Sequence, residues 1–117
     1  MRKERKNPEE KANRLTRALL RAMVEYPEIT PNKILVMTMK KETLKNIFTP
    51  SRIEVIETIK SQKPKSVGEL AKRLDRPVES VSRDLKILEN YGILEFIQAG
   101  KQKTPTIEKE MLIMPLA

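Results

Sequence analysis

The chain has 117 residues, 24 Lys plus Arg, 16 Asp plus Glu, and neither His nor Cys. A length of this order predicts one domain with at most an appended helix. The zeros exclude a thiolate nucleophile, a Ser-His pair, a Cys/His zinc site and a disulfide framework. The formal net charge of +8 suits a polyanionic partner or a soluble basic protein.

No apolar stretch approaches the roughly 18–20 residues needed to span a bilayer. The charged start Met1-Arg2-Lys3-Glu4-Arg5-Lys6 is not followed by the apolar run of a secretory signal. A cytoplasmic protein is therefore expected.

In chain order, residues 1–26 form a basic tail and a helix. Asn7 is a candidate cap and Pro8 a first helical residue, with Glu9 and Glu10 near the positive helix end. Leu15, Leu19 and Met23, with Ala12 and Ala22, recur every three or four positions and make one apolar stripe. The helix should stop near Tyr26, because Pro27 disfavours the α conformation in the residue before it. Arg2, Lys3, Arg5 and Lys6 read as a minor-groove arm or a disordered tail, the tail being preferred.

Lys33–Met39 is short and apolar, and reads as a mostly buried strand. Lys41–Phe48 fits one or two helical turns with Leu44, Ile47 and Phe48 inward. Thr49 caps the next helix and Pro50 opens it. Its stripe is Ile53, Ile56 and Ile59, and Lys63-Pro64-Lys65 ends it. Ser66-Val67-Gly68-Glu69 matches a capping box. The short helix it opens has Val67, Leu70, Ala71 and Leu74 inward, and breaks at Asp75-Arg76-Pro77. A longer helix covers Val78 to Asn90, with Val81, Leu85 and Leu88 inward and Gly92 in the left-handed position beyond it. Ile93–Gln98 reads as a strand, Ala99–Pro105 as a basic turn, and Ile107–Leu116 as a second, antiparallel strand.

Short helix, tight turn, longer helix, strand, basic turn, strand is the order of a helix-turn-helix with a two-stranded wing. The expected fold is thus mainly α with a small β wing, an α+β chain. The reading gives residues 1–26 as an extension and possible dimerisation element, and residues 27–117 as a winged helix-turn-helix domain. The helix-turn-helix covers about 66–91 and the wing about 93–116. With Val81 at the centre of the buried face, Glu79, Arg83, Lys86 and Asn90 fall opposite, flanked by Ser80 and Ser82. Arg83 can fork onto guanine or grip phosphates. Ser80 and Ser82 are short enough to admit a groove floor or a phosphate. Lys86 is better placed for the backbone. Lys101 and Lys103 at the wing tip can reach an adjacent phosphate or the minor groove.

Two stretches carry a family resemblance. They are Ser66-Val67-Gly68-Glu69-Leu70-Ala71-Lys72-Arg73-Leu74 and Val81-Ser82-Arg83-Asp84-Leu85-Lys86-Ile87-Leu88-Glu89-Asn90-Tyr91-Gly92-Ile93-Leu94. They resemble the winged helix-turn-helix of MarR- and ArsR-type transcriptional regulators. Thr49-Pro50-Ser51-Arg52 and Lys101–Leu116 look closer still to a small prokaryotic, mainly archaeal, group of MarR-like regulators. The resemblance covers about residues 33–116. It implies a homodimer bound to double-stranded DNA, with Ser80, Ser82, Arg83 and Lys86 at DNA-facing positions. The metal-thiolate sensing of ArsR proteins is not implied, since every Cys and His is missing.

Bland readings stand beside these. Glu79 and Arg83 are spaced for a plain i,i+4 ion pair. Lys101 and Lys103 equally suit a solvated hairpin tip. Residues 1–26 carry +4 of the charge, residues 27–62 +2 and residues 63–117 only +2, so half the excess precedes residue 27. A winged-helix module for protein–protein contact is the alternative function. The carboxylates show no acid/base pairing and Gly68, Gly92 and Gly100 form no phosphate loop, so no enzyme, metal or cofactor is expected. Four aromatics are too few for the stacking platforms of RNA recognition. The sequence leaves the effector ligand open. It also leaves the dimer interface open, between the 1–26 helix and the 107–116 strand.

Overall fold

A computed structural model describes the backbone over residues 8–114 and side chains over residues 13–114. The described residues form an α+β chain with five α-helices and two separate two-stranded sheets. The chain divides into two compact units: Lys40–Glu108, and the residues up to Met39 joined with those from Lys109 onward. Among the described residues no helix is long and apolar enough to cross a membrane.

The discontinuous unit holds α1 (Pro8–Glu25), and Pro8 is the first residue described. Asn7 and the Arg2, Lys3, Arg5 and Lys6 cluster lie outside the described residues. Tyr26 N–H donates to the Ala22 carbonyl at 2.8 Å, and the helix goes no further toward Pro27. Ala22 is buried and Leu15, Ala18 and Leu19 are half-buried. Met23 is exposed, so the expected stripe holds only as far as Leu19 and Ala22. Leu20 and Val24, on the other side of the helix, are exposed as well.

A single 3₁₀ turn, Pro31–Lys33, leads into β1 (Ile34–Val36). This strand is shorter than the expected Lys33–Met39, and within it only Ile34 is fully buried. Its partner is β4 (Met111–Ile113), paired in parallel with Ile34 opposite Met111 and Val36 opposite Ile113. Residues 107–114 are thus not the return strand of a wing that the sequence predicts over 107–116, and residues 115 and 116 lie outside the described residues. All six paired residues are apolar, the pattern of parallel strands, which have both faces to cover. The ladder is closed by Glu110 N–H to the Lys33 carbonyl at 2.8 Å and Met37 N–H to the Ile113 carbonyl at 3.1 Å.

The continuous unit holds α2 (Lys41–Ile47), α3 (Pro50–Gln62), α4 (Val67–Leu74), α5 (Val78–Asn90), β2 (Glu95–Ala99) and β3 (Gln102–Thr106). Thr49 caps α3, its hydroxyl accepting from Arg52 N–H. Lys63 and Asp75 take left-handed backbone angles and end α3 and α4, where the sequence placed its breaks. The core gathers Ile47, Val55, Ile59, Leu70, Ala71, Val81, Leu85, Leu88, Ile93 and Leu94. In α3 the buried face is Val55, Thr58 and Ile59, while Ile53 is exposed and Ile56 half-buried. The expected Ile53, Ile56, Ile59 stripe is therefore rotated. Val55 and Ile59, one turn apart, face the core, and Ile53 falls about 120° from Ile59.

Ser66 and Glu69 form the expected cap of α4. Ser66 Oγ accepts from Glu69 N–H at 3.1 Å. The Glu69 carboxylate reaches back to Lys65 N–H at 3.0 Å, one residue before the cap, and also accepts from Arg73 at 2.7 Å. The Lys65 N–H bond, followed by the Arg73 guanidinium, holds the Glu69 carboxyl below its ordinary pKa. A carboxyl depressed in the folded state stabilises fully above its unfolded pKa, and that contribution is lost as pH falls through the folded value. Glu69→Gln is therefore expected to flatten part of the acid limb of a stability-against-pH curve below about pH 4.3. Urea midpoints measured from neutral to acid pH check this; parallel curves for both proteins would refute it.

β2 and β3 form an antiparallel hairpin pairing Glu95 with Thr106 and Ala99 with Gln102. The turn is Gly100-Lys101, with Gly100 at φ +62 and Lys101 not left-handed, as a type II′ turn requires. A two-residue turn makes Ala99/Gln102 a hydrogen-bonded pair. Alternation then puts Phe96/Pro105 at a non-hydrogen-bonded pair, where proline's missing N–H breaks no ladder bond. Pro105 thus belongs inside β3 and not to a loop, which shortens the expected basic turn to two residues. Thr104 Oγ1 donates to the Lys65 carbonyl at 2.7 Å and fastens β3 to the α3–α4 connection.

Candidate nucleic-acid interface

In α5, Val81, Asp84, Leu85 and Leu88 are buried, and Ser80 and Ile87 half-buried. At about 100° per residue the buried arc is centred about 30° to the Leu88 side of Val81. The exposed arc holds Val78, Glu79, Ser82, Arg83, Lys86, Glu89 and Asn90. Its middle is Lys86 and Glu79, with Arg83 toward one edge. Ser82, Arg83 and Lys86 are thus placed outward, as the sequence reading had them. The i,i+4 ion pair available to Glu79 and Arg83 is not formed, and neither Arg83 nor Lys86 has an ion-pair partner among the described residues.

Ser80 is different. Its hydroxyl accepts from Arg76 Nη2 at 2.6 Å. The same guanidinium nitrogen donates to Asp84 Oδ2 at 2.8 Å, and Arg52 Nε donates to Asp84 Oδ1 at 3.1 Å. Arg52 Nη1 also donates to the Asn46 carbonyl at the end of α2. One buried carboxylate therefore holds α3 and the α4–α5 turn onto α5, and the first turn of α5 is tied in through Ser80. A buried carboxylate needs such partners, since an unpaired charge in the core costs several kcal/mol. Arg76 Nη1 is buried without a hydrogen-bond partner.

The sequence reading finds no acid/base pairing among the carboxylates and gives Asp84 no structural role, so it misses this hub. One signal was available: Asp84 sits about 60° from Val81, at the margin of the buried face. Its partners, Arg52 and Arg76, are 32 and 8 residues away in sequence, beyond the reach of any local spacing rule.

The hairpin carries the other two candidates. Lys101 is the second turn residue and is exposed. Lys103 lies within β3, not at the tip, and its ammonium sits 5.9 Å from the centre of the Phe96 ring. Both α5 and β3 pack on α3 and α4. Among the described residues no group of three or more His, Cys, Asp or Glu is arranged to hold a metal ion.

A family model described as HVO_A0114 matches residues 47–111, more than half of the chain. The chain belongs to the HVO_A0114 family. The matched stretch begins on buried Ile47, takes in α3, α4, α5 and the hairpin, and ends on the first residue of β4. The Asp84 hub and all six candidate residues thus lie in the part shared with the HVO_A0114 family. Residues 1–46, with α1 and β1, lie outside it. No curated protein matches the chain.

Proposed function

We propose that this HVO_A0114-family protein is a sequence-specific, double-stranded DNA-binding transcriptional regulator of the winged helix-turn-helix kind, acting as a homodimer in the cytoplasm. In this reading α5 enters the major groove, and the hairpin bearing Lys101 and Lys103 lies on the adjacent backbone. The observation that carries it is the division of α5: one face is locked in the core by Asp84, Leu85 and Leu88, while Ser82, Arg83 and Lys86 stand outward, with no ion pair to either cation among the described residues. The resemblance of residues 66–94 to MarR- and ArsR-type regulators supports the same reading.

Lys86, Lys101 and Lys103 supply phosphate contacts, which give affinity but little discrimination. Arg83 supplies base readout. Two subunits would address half-sites about one helical turn apart. Ser80 serves the reading helix from within, through Arg76, and not as a direct contact.

Selection of bound duplexes from a random pool yields the site. Arg83→Ala is then expected to reduce the ratio of specific to non-specific affinity by about 10- to 100-fold. Binding to heterologous duplex should weaken only slightly. Wild-type discrimination in the variant would remove α5 from the role of reading helix.

One observation favours a second reading, a protein–protein module. Glu79 and Glu89 share the exposed arc with Arg83 and Lys86, so that face of α5 carries no net charge. Titration of heterologous duplex at two salt concentrations separates the two readings. DNA binding that falls steeply with salt supports the first, and no binding at low salt supports the second.

A further inference from the structure

Two carboxylates, Glu79 and Glu89, share the exposed arc of α5 with its cations, and Glu79 stands nearest the middle. It lies in the first turn of the helix, within about 10° of the centre of that arc. It is exposed and makes no ion pair among the described residues. Both arginines close to it in sequence are withheld. Arg76, three residues earlier, is committed to Ser80 and Asp84. Arg83, one turn later and about 40° round the helix, leaves the available i,i+4 pair unmade.

Against phosphates such a group is only a penalty. Against base edges it is a filter. In the major groove guanine presents two acceptors, thymine an acceptor and a methyl group, and adenine a donor beside an acceptor. Cytosine alone presents a donor, its N4 amino group, with no acceptor of its own. A carboxylate brought to the groove floor gives up water and recovers a hydrogen bond cleanly only there. At the other bases it meets an acceptor, and an unpaired, desolvated charge discriminates strongly. The first turn is also the part of a reading helix that reaches base edges. Glu79 and Arg83 are about 6 Å apart along the helix axis. A base step is about 3.4 Å, so the two side chains address bases within about two steps of each other.

We infer that Glu79 is a specificity-determining residue, its carboxylate accepting from N4 of a cytosine within about two base steps of the guanine held by Arg83 and repelling the other bases. The inference rests on the DNA-binding reading above and gives each half-site part of its chemistry. It turns the acidic side of the mixed α5 face into a reading group.

Duplexes are selected from a random pool with the wild-type chain, Glu79→Ala and Glu79→Gln. The wild-type site should hold a cytosine within about two base steps of the position that Arg83→Ala relaxes. Glu79→Ala should accept any base there, and its ratio of specific to non-specific affinity should fall about 10-fold or more. Its affinity for heterologous duplex should rise, because a negative charge has left the face. That rise distinguishes it from Arg83→Ala and from a loss of folding. Glu79→Gln, with a donor and an acceptor on one amide, should admit adenine at the same position. Retention of cytosine alone by either variant overturns the inference. So does a Glu79→Ala variant whose affinities for selected and heterologous duplex rise by the same factor. A wild-type site without that cytosine overturns this inference alone, whereas a wild-type chain that binds no duplex overturns the DNA-binding reading and the inference with it.

Discussion

Asp84→Ala is expected to lower the stability of the protein by about 3 kcal/mol, the low end of the range for breaking a buried ion pair. The low end applies because Arg52 and Arg76 keep 18% and 22% of their side-chain surface exposed, so water partly screens the orphaned cations. The loss does not come from the carboxylate alone. Without it, Arg52 keeps the Asn46 carbonyl and Arg76 keeps Ser80, but each loses its counter-charge. Asp84→Asn retains the size and one acceptor, and should fall between alanine and wild type. Urea denaturation measures both. In a double-mutant cycle, Arg76→Ala should be much less damaging on the Asp84→Ala background than alone. A loss below about 1 kcal/mol for Asp84→Ala would place the carboxylate among solvated surface pairs.

Leu88→Ala should do comparable or greater damage by a different route. Leu88 of α5 is completely buried, as are Val81 and Leu85 of the same helix and Leu94 beyond its end. Truncation removes transfer free energy and leaves a cavity, for about 2–5 kcal/mol. A domain of this size has only about 5–15 kcal/mol in all, so the variant should sit close to its unfolding threshold at physiological temperature. Leu88→Met, which conserves volume, should cost less than about 1.5 kcal/mol. The urea midpoint should drop with the slope unchanged, because the surface exposed on unfolding is nearly the same. If Leu88→Ala unfolds at the wild-type midpoint, α5 is not anchored as described.

What was legible in the sequence had a local cause. Thr49-Pro50, Ser66-Val67-Gly68-Glu69 and Gly92 act within a few residues, and the helix boundaries they set agree with the structure to within a residue or two. The inward face of α5 followed from spacing alone. What was misread depends on distant partners. The Ile53, Ile56, Ile59 pattern is a sound helical stripe, but Val55 and Thr58 fit the neighbouring helices, and spacing does not see neighbours. Asp84 looked like any helix carboxylate until Arg52 and Arg76 came to it. Residues 111–113 read as a hairpin strand because a nearby partner is the usual one. Their actual partner begins at residue 34, and the hairpin was already complete at Thr106. In the candidate interface, Ser82, Arg83 and Lys86 were placed outward by periodicity. The tie between Ser80 and Arg76 was not, because it depends on the left-handed turn at Asp75.

The parallel pairing of residues 34–36 with 111–113 also imposes an order of assembly. During synthesis β1 emerges early and has no strand to pair with until residue 113 has left the ribosome. Every element of the Lys40–Glu108 unit is in hand by residue 106. That unit is built from contacts between near neighbours and can close first, whereas the β1–β4 pair closes a loop of more than 70 residues and bears the entropy of that closure. The helices that carry the candidate interface can therefore be in place while β1 still waits for its partner.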